Sequence, residues 1–312
     1  MQTTYPAAAG SRCRELLRQI LLLGCLFMPI ASAFAQPSTA DTLQRIKERG
    51  YITLGHRESS VPFSYYDGQG QVAGYSHELA LRIVDAVRHH LDEPLLVLRL
   101  TPITSENRIR MIRSGEIDLE CGSTTHNSFR ARHASFSNTI FIIGTRMLTR
   151  QESGIHDFPD LAGRRVVTTA GTTSERLLRE MNELRQKGMT IVTQRDHRES
   201  FLALERGAAD AFMLDDALLY GELAKADRPD DWIVTGTPQS FEAYGCMMRR
   251  GDIAFKRLVD QALAQLMRSG EAERIYRRWF MSPLPDSGLN LNFPMSETMR
   301  ELFRNPNDHP FQ

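Results

Sequence analysis

The sequence predicts an α/β protein made of two lobes with a ligand cleft between them. A βαβαβ pattern runs over residues 51–122, and this pattern is typical of a parallel sheet with helices on its faces. A second α/β unit follows over residues 165–234. The apolar run at residues 140–148 is long for one buried strand, and residues 244–248 are again strand-like. We therefore expect the chain to cross between the units twice, which places a cleft where the strand ends of both lobes meet.

The first 35 residues have the features of an export signal. Three arginines give a basic start, a mostly apolar stretch follows, and Ala33-Phe34-Ala35 matches a signal peptidase site. The apolar stretch is shorter than the roughly 20 residues that a bilayer-spanning helix needs. We expect cleavage after Ala35 and a mature chain, residues 36–312, that is soluble in the periplasm.

The elements of the first unit are predicted from apolar residues at helical spacing, apolar runs and glycine stops. Ser76 is expected to cap the long helix. The strands at 51–56 and 95–103 are both expected to be buried. In chain order, the predicted elements are a helix at 42–49, a strand at 51–56, a hairpin turn at 67–70, a helix at 76–91, a strand at 95–103, a short helix at 106–113 and a strand at 117–122.

The second unit alternates strands and helices in the same way, and helices dominate the rest of the chain. A helix after the strand at 211–214 is left open, because Asp215 could cap one, and residues 126–135 are expected to form a loop. The predicted elements are strands at 165–169, 191–193, 211–214 and 232–234, helices from 171–175 to about 182 and at 197–206, and three later helices at 252–268, 270–280 and 296–303.

The length of the mature chain also favours two lobes. Its 277 residues exceed the size at which a single core usually stops growing. Lobe 1 is predicted to contain residues 36–143 and 243–312, and lobe 2 residues 144–242. The hinge is predicted near residues 144–145 and 240–242.

Charge and cysteine content exclude several classes of function. The full chain has a formal charge of zero, the mature part is near −2, and no basic stripe indicates nucleic acid. No spacing of His, Cys and carboxylate indicates zinc and no Walker loop is present, so neither a metal nor a cofactor is expected. Cys121 and Cys246 can form one disulfide in an oxidising compartment. They can equally be two small buried side chains on separate strands.

Two arginines follow apolar runs that end in the predicted cleft. Arg57 comes directly after the strand at 51–56, and Arg108 closes the turn after the strand at 95–103. In open α/β sheets, ligands bind outside the carboxyl ends of the strands. A guanidinium can donate two parallel hydrogen bonds to a carboxylate. The pair therefore indicates a site for a dianionic acid, although either arginine alone can be an ordinary surface residue.

Polar groups from lobe 2 are expected to face the same cleft. Thr172 and Thr173 lie between a strand and a helix, where backbone N–H groups favour an anion, although a threonine there can also simply cap the helix. Asp215 can accept an ammonium group or cap a helix, and His197 can be a solvated loop residue. Together these groups match an α-amino acid with a second acidic group. Lobe 1 adds the hydroxyl groups of Ser105, Ser123 and Thr125.

Six segments in order also resemble the periplasmic amino-acid-binding proteins of ATP-driven importers, the family 3 extracellular solute-binding proteins. Within that family the resemblance is strongest to the members that bind glutamate and aspartate, and it covers essentially the whole mature chain. The matching segments are GHRESSVPFSYY at 55–66, PITS at 102–105 with NRI at 107–109, DLECGSTT at 118–125, GTTSE at 171–175, AFMLDDALL at 211–219 and EAYGCM at 242–247.

The resemblance implies a type II periplasmic-binding-protein fold, with two α/β lobes joined by a two-strand hinge. It implies that Arg108 holds the α-carboxylate of glutamate or aspartate, and that Asp215 holds the α-ammonium. Arg57 and His197 would serve the side-chain carboxylate. It also implies a monomer that delivers its ligand to the membrane permease of an ABC importer. The remaining hydrogen bonds would come from Ser105, Ser123, Thr125 and Thr173.

A periplasmic enzyme of the dehydratase type is the alternative activity. It would need a carboxylate or histidine facing the reacting centre. Glu58, Glu120 and His197 are the nearby candidates, but Glu58 is expected to pair with an arginine or face solvent, and Glu120 lies inside a strand. We therefore predict a binding protein and not an enzyme. A chemoreceptor or sensor kinase is the alternative partner.

Overall fold

The computed structural model describes residues 1–2, 41–285, 288 and 290–310. The chain divides into two units after residue 38, and all of the elements below lie in the second unit. The signal cleavage site lies outside the described residues, so its position stays a prediction. Among the residues that are described, no helix is long and apolar enough to cross a membrane.

Strands and helices alternate through most of the second unit. The strands are β1 (Tyr51–His56), β2 (Ser59–Ser60), β3 (Ser64–Tyr66), β4 (Val72–Ala73), β5 (Val97–Pro102), β6 (Leu119–Glu120), β7 (Ala134–Arg150), β8 (Arg165–Thr169), β9 (Thr190–Gln194), β10 (Ala211–Asp215), β11 (Trp232–Thr235) and β12 (Phe241–Arg249). The helices are α1 (Thr42–Arg49), α2 (Tyr75–Leu91), α3 (Arg108–Ser114), α4 (Ser128–Ala131), α5 (Thr173–Leu184), α6 (His197–Glu205), α7 (Asp216–Leu223), α8 (Ile253–Arg268), α9 (Glu271–Phe280) and α10 (Glu297–Arg304).

The described strands form one large mixed sheet and one small antiparallel sheet. The order in the large sheet is β5-β1-β6-β12-β7-β10-β8-β9, and β11 also pairs with β7. The pairs β1–β5, β1–β6, β8–β9 and β8–β10 are parallel, as the βαβ pattern predicts. Strands β2, β3 and β4 make the small sheet. Two parallel groups of strands are therefore connected through β7 and β12.

Strand β7 changes partners along its length. Its first part, up to Gly144, pairs with β12, and its second part, from Thr145 onward, pairs with β10 and β11. At the change, the Thr145 N–H donates to the Ser240 carbonyl at 3.0 Å. The predicted hinge lies at this point, but the lobe boundaries and the hinge motion stay predictions.

Most predicted elements are confirmed, and four differ in an informative way. Strand β5 is the sheet edge and is largely exposed, so the prediction that it is buried was wrong. An apolar run does not reveal whether anything covers it. Helix α2 begins at Tyr75 after Gly74, and the Ser76 hydroxyl donates to the Gly122 carbonyl instead of capping the helix. Helix α4 was not predicted, and α7, which was left open, is present without a capping hydrogen bond from the Asp215 side chain.

An aromatic cluster holds the middle of the large sheet against the C-terminal helices. Phe141 of β7 packs on Phe63 and Phe280, with ring centroids 4.8 Å apart in each pair. Tyr244 of β12 packs edge-on against Phe63 at 5.2 Å. This packing places the Tyr244 phenol beside the end of β10.

Candidate ligand-binding site

The predicted site residues lie at strand ends and helix starts. Arg57 follows β1, Arg108 begins α3, Thr173 begins α5, His197 begins α6 and Asp215 ends β10. The parallel strands β1, β8 and β9 end next to these residues, so their carboxyl ends contribute to one region, as open α/β sheets predict. Ser123 and Thr125 follow β6, and Ser105 follows β5.

Arg57 and Arg108 are each only 1% exposed. Burial and the positive charge of Arg108 lower the pKa of Arg57 to about 10, so the two guanidiniums lie close enough to repel each other. Arg108 Nη1 donates to the Thr124 hydroxyl at 2.5 Å and to the Ser123 carbonyl at 3.3 Å. Arg57 Nη1 and Arg108 Nε have no hydrogen-bond partner among the described residues. Both forks therefore have donors available for an anion.

Glu120 is a fully buried carboxylate beside these arginines. The Thr124 hydroxyl donates to its Oε2 at 2.7 Å, and burial raises its pKa, while Arg108 and Arg57 oppose that rise. The hydrogen bonds from Arg108 to Thr124 and from Thr124 to Glu120 orient the Arg108 guanidinium. Glu120 was not predicted as a site residue, because it lies inside a strand. The available signal was a carboxylate in an apolar strand, which needs a buried partner.

Arg130 is a third buried guanidinium, and it was not among the predicted site residues. It lies in α4, within a segment predicted to be a loop. Its Nη1 donates to the Thr125 carbonyl at 3.1 Å and its Nη2 to the Gly171 carbonyl at 3.2 Å. Burial and the charge of Arg108 lower its pKa to about 9. No sequence signal marked this residue, because its burial depends on segments distant in the chain.

Asp215 is buried and accepts hydrogen bonds from three elements. The Thr145 hydroxyl donates to Oδ1 at 3.0 Å, the Ser174 hydroxyl donates to Oδ1 at 3.2 Å, and the Tyr244 phenol donates to Oδ2. Burial, with the negative charge of Glu242, raises the pKa of Asp215 to about 7. A cation placed beside this carboxylate would favour its ionised form.

His197 is a buried neutral imidazole at ordinary pH. Burial and the positive charges of Arg57 and Arg108 hold its pKa well below its usual value. Its Nδ1 lies 2.8 Å from the Thr169 hydroxyl, and its Nε2 has no partner among the described residues. The prediction left open a solvated loop residue, and the burial of His197 excludes that alternative.

Some hydroxyl groups near the site already have hydrogen-bond partners in the protein, and others do not. Thr172 is the N-cap of α5, because its hydroxyl accepts from the Glu175 N–H at 3.0 Å and donates to the Thr169 carbonyl at 2.6 Å. The capping alternative therefore accounts for Thr172. Thr173 lies next to it, with its hydroxyl 3.4 Å from that of Thr125. Ser105 Oγ is buried and has no partner among the described residues.

A disulfide and an ion pair connect segments around the site. Cys121 and Cys246 form a disulfide, which ties the end of β6 to β12. Glu58 pairs with Arg195 at 2.6 Å, in agreement with the prediction that its carboxylate pairs with an arginine or faces solvent. Within the described residues, no group of three or more His, Cys, Asp or Glu is placed to hold a metal ion.

The arrangement can recognise a small zwitterion that carries an additional carboxylate. Unpartnered donors on Arg57, Arg108 and Ser105 suit carboxylate oxygens, which only accept hydrogen bonds. Asp215 suits an ammonium group. The charge of Arg108 acts on the pKa values of Arg57 and His197, and the charge of Asp215 acts on the pKa of Arg108, so these four groups share one buried environment.

The chain is similar to known binding proteins over most of its length. The model of the bacterial extracellular solute-binding proteins, family 3, matches residues 52–282. The L-glutamate/L-aspartate-binding protein of Pseudomonas aeruginosa is 53% identical over 284 residues, which is 89% of this chain and 94% of that relative. The glutamate/aspartate import solute-binding protein of Escherichia coli (strain K12) is 52% identical over 274 residues, 88% of this chain and 91% of that relative.

Solved structures give the same assignment of fold. Holo ArgBP from T. maritima is 26% identical, with a TM-score of 0.64 over 75% of this chain and 98% of that chain. A substrate-binding protein of an ABC uptake transporter from Streptococcus pneumoniae, with bound histidine, is 19% identical, with a TM-score of 0.70 over 81% of this chain and 100% of that chain. The fold is therefore of the type II periplasmic-binding-protein class, as predicted. The chain belongs to the bacterial extracellular solute-binding proteins, family 3, and is a solute-binding receptor rather than an enzyme.

Proposed function

We propose that this protein captures L-glutamate and L-aspartate in the periplasm and delivers them to the permease of an ABC importer. The observation that carries the proposal is the buried pair Arg57 and Arg108, whose free donors lie in one environment with Asp215. The names of the two relatives that are 53% and 52% identical support the same ligands.

Each charged group has a separate role in this proposal. Arg108, oriented through Thr124 and the Ser123 carbonyl, takes the α-carboxylate. Asp215 takes the α-ammonium. Arg57 takes the side-chain carboxylate.

His197 and the hydroxyl groups complete the proposed ligand set. Nδ1 of His197 lies 2.8 Å from the Thr169 hydroxyl, and its Nε2 has no partner among the described residues and is the atom that would face the side-chain carboxylate. With its proton on Nε2, a neutral imidazole would donate a hydrogen bond without adding another positive charge beside Arg57. The hydroxyl groups that add hydrogen bonds are those of Ser105, Ser123, Thr125 and Thr173.

We further propose that residues 36–143 with 243–312, and residues 144–242, move as two lobes about the change of partner in β7. Contacts across this boundary support a closed arrangement in the structure. Arg195 pairs with Glu58, and the hydroxyls of Thr125 and Thr173 lie 3.4 Å apart. Closure around a charged ligand excludes water, which strengthens the ion pairs inside.

Calorimetric titration of refolded, ligand-free protein tests the ligand. Glutamate and aspartate should bind at one site per chain, and glutamine and asparagine should bind more weakly because the Arg57 fork would lack an anionic partner. The exposed Arg110, paired with Glu116, supplies a control variant, Arg110→Met, which should bind as the wild type does. Saturable binding to the amides alone would contradict the proposal. Chemical conversion of either acid during the titration would instead support the dehydratase-type alternative.

The partner and the oligomeric state need separate measurements. We expect a monomer with and without ligand in sedimentation, because the described site is built from a single chain. Ligand-loaded protein should stimulate ATP hydrolysis by a permease complex in vesicles, and ligand-free protein should stimulate it less. Signalling through a sensor kinase without transport would favour the alternative partner.

A further inference from the structure

A cavity of about 410 Å³ lies where β7 changes partners, and it shares no lining residue with the candidate ligand site. Gly144 of β7 and Phe241 of β12, which pair in the sheet, form part of its wall. Asp216 of α7 forms another part, and the rest comes from Tyr276 of α9 and from the segment 293–299. Small-molecule sites usually occupy roughly 300–1,000 Å³ and have mostly apolar walls with a few polar groups. The cavity therefore has the size of a binding site.

Two successive aspartates belong to different sites. Asp215 accepts hydrogen bonds within the candidate ligand site, whereas Asp216 lines the cavity. Backbone N–H groups of Ala217 and Gly144 donate to the Asp216 carboxylate, the first of them at 2.8 Å. Among the described residues, no cationic side chain lies within 4.0 Å of this carboxylate. Its negative charge is therefore available to an occupant of the cavity.

The cations nearest to the cavity do not line it. Burial raises the pKa of Asp216 to about 6, while the backbone hydrogen bonds and the charge of Arg146 oppose that rise. Arg146 donates through Nε to a backbone carbonyl at 2.8 Å. Arg300, whose charge acts on Tyr276, pairs with Glu297 at 3.7 Å. Of the described residues that line the cavity, Asp216 is thus the one with a charged side chain, and it is ionised above neutral pH.

The wall around this carboxylate is mostly apolar and aromatic. Aromatic rings attract a cation through their electron-rich faces, and a carboxylate forms a strong hydrogen bond with an ammonium group. Aliphatic side chains favour an alkyl chain, because contact with them removes it from water. The wall therefore suits an organic cation with an apolar chain. The apolar and aromatic side chains that line the cavity include Ile142, Ile143, Phe241, Tyr276, Phe293 and Met299.

We propose that this cavity is a second binding site, for a primary alkylammonium whose charged head pairs with Asp216 and whose chain lies against the apolar wall. The proposal goes beyond the proposed function and does not depend on it, because the two sites share no lining residue. Glutamate would be a poor occupant, since its two carboxylates would find no positively charged partner in the wall.

An amide NMR titration above neutral pH tests the site, with glutamate present at saturation so that Asp215 is already occupied. The probe is n-pentylammonium, which should give saturable shifts of the backbone amides of Gly144 and Ala217. The matched neutral probe is 1-pentanol, which has the same chain without the charge. It should bind about 10-fold more weakly or worse, because a hydrogen bond to a charged group is the stronger one.

Two variants separate the charge from the aromatic wall. Asp216→Asn keeps an acceptor for the backbone N–H groups, and it should weaken n-pentylammonium about 10-fold or more while 1-pentanol binds as before. Phe241→Leu keeps an apolar side chain without the ring, and it should weaken n-pentylammonium about 2- to 5-fold. Asp230→Asn is the matched control, because Asp230 is exposed and does not line the cavity. Thermal unfolding establishes that each variant is folded.

The outcomes distinguish the second site from the proposed function. The second site is overturned if n-pentylammonium gives no saturable shifts at Gly144 and Ala217, if 1-pentanol binds equally well, or if a folded Asp216→Asn variant binds as the wild type does. If the wild type binds neither glutamate nor aspartate, the proposed function fails. The same titration is then made on Asp215→Asn, which removes the charge from the other site, and it still decides on the cavity.

Discussion

The phenol of Tyr244 donates a hydrogen bond to Oδ2 of Asp215, which joins the end of β10 to β12. Tyr244 is held by ring packing against Phe63, so the donor is fixed before any ligand arrives. The bond favours the ionised form of Asp215, while burial and Glu242 oppose ionisation. The charge state of the proposed ammonium site is therefore set by a balance near neutral pH.

Ligand affinity should fall as the pH is lowered below neutrality. The pKa of Asp215 is raised to about 7, so its carboxyl group is ionised above that pH and takes up a proton below it. An ammonium ligand needs the ionised form, and affinity should therefore drop roughly 10-fold per pH unit below the pKa. Calorimetric titration in buffers of different ionisation enthalpy should show proton release on binding at pH 6 but not at pH 8.

His197 is not the source of this dependence, because its pKa lies well below its usual value and it stays neutral over the same range. Asp215→Asn serves as the control, since it should bind weakly at every pH and show no slope. Constant affinity of the wild-type protein between pH 6 and 8 would contradict the assignment.

The variant Tyr244→Phe should shift that pH dependence upward. The substitution removes the donor to Asp215 and keeps the ring that packs on Phe63. Loss of a hydrogen bond to the charged form raises the pKa of a carboxyl group. The midpoint of affinity against pH should therefore move to a higher pH, with little change in affinity well above it. A midpoint equal to that of the wild type would show that the phenol does not govern Asp215.

A methyl group at Gly221 should hinder closure of the lobes. In α7, a Cβ on Gly221 would lie 2.1 Å from the carbonyl oxygen of Val61, a residue of the predicted lobe 1. Backbone atoms cannot move aside cheaply, so Gly221→Ala should weaken glutamate binding about 10-fold or more. The ligand-free protein should not lose stability, because alanine is the better helix former.

Titration together with the radius of gyration at saturating ligand measures this effect. Gly68→Ala is the control, because a Cβ at Gly68 meets no atom within 4 Å. If Gly221→Ala contracts on ligand binding as fully as the wild type does, the contact is not a limit on closure.

Removal of the disulfide should lower stability far more than it changes selectivity. Cys121 and Cys246 are 125 residues apart in sequence, so the bridge restrains a long loop of the unfolded chain. The double variant Cys121→Ala with Cys246→Ala should lose about 2–5 kcal/mol of unfolding free energy. Urea unfolding of the oxidised wild type and the variant measures the loss. An equal loss in each single variant is expected, since either one breaks the bridge.

Site residues could be predicted from the sequence where a charged residue lies at the end of an apolar strand. Arg57 and Asp215 could be found because each charged residue ends an apolar strand, where open sheets bind ligands. Arg130 could not, because its burial is created by Thr125 and Gly171, segments on either side of a strand that changes partners. The pattern of residues along a single segment does not predict contacts with distant segments.

The errors have a related physical origin. The apolar residues around β5 indicated a buried strand, but Val97 is 54% exposed because that strand is the sheet edge. Glu120 was read as an ordinary strand residue, although the two arginines predicted nearby create a demand for a buried counter-charge. A charge inside an apolar strand is thus better treated as part of a site when cations are predicted at the neighbouring strand ends.

Arg57 should determine the preference for an acidic side chain, and Arg108 should be needed by every ligand. Arg57→Met should weaken glutamate binding about 100-fold, because the side-chain carboxylate would be buried without its charged partner. Glutamine, which has no such charge, should lose much less. Arg108→Met should weaken both ligands by a similar factor, since both carry the α-carboxylate. Parallel calorimetric titrations of the two variants with glutamate and glutamine measure the ratio.

The ratio of the two affinities decides the assignment better than either affinity alone. Loss of a buried guanidinium can disturb the fold and weaken every ligand together, but it does not change the ratio in that way. Selectivity for glutamate over glutamine should therefore collapse in Arg57→Met and persist in Arg108→Met. The reverse result would exchange the two roles. It would place the α-carboxylate on the fork that follows β1, and the ligand would then lie in the opposite orientation between Asp215 and His197.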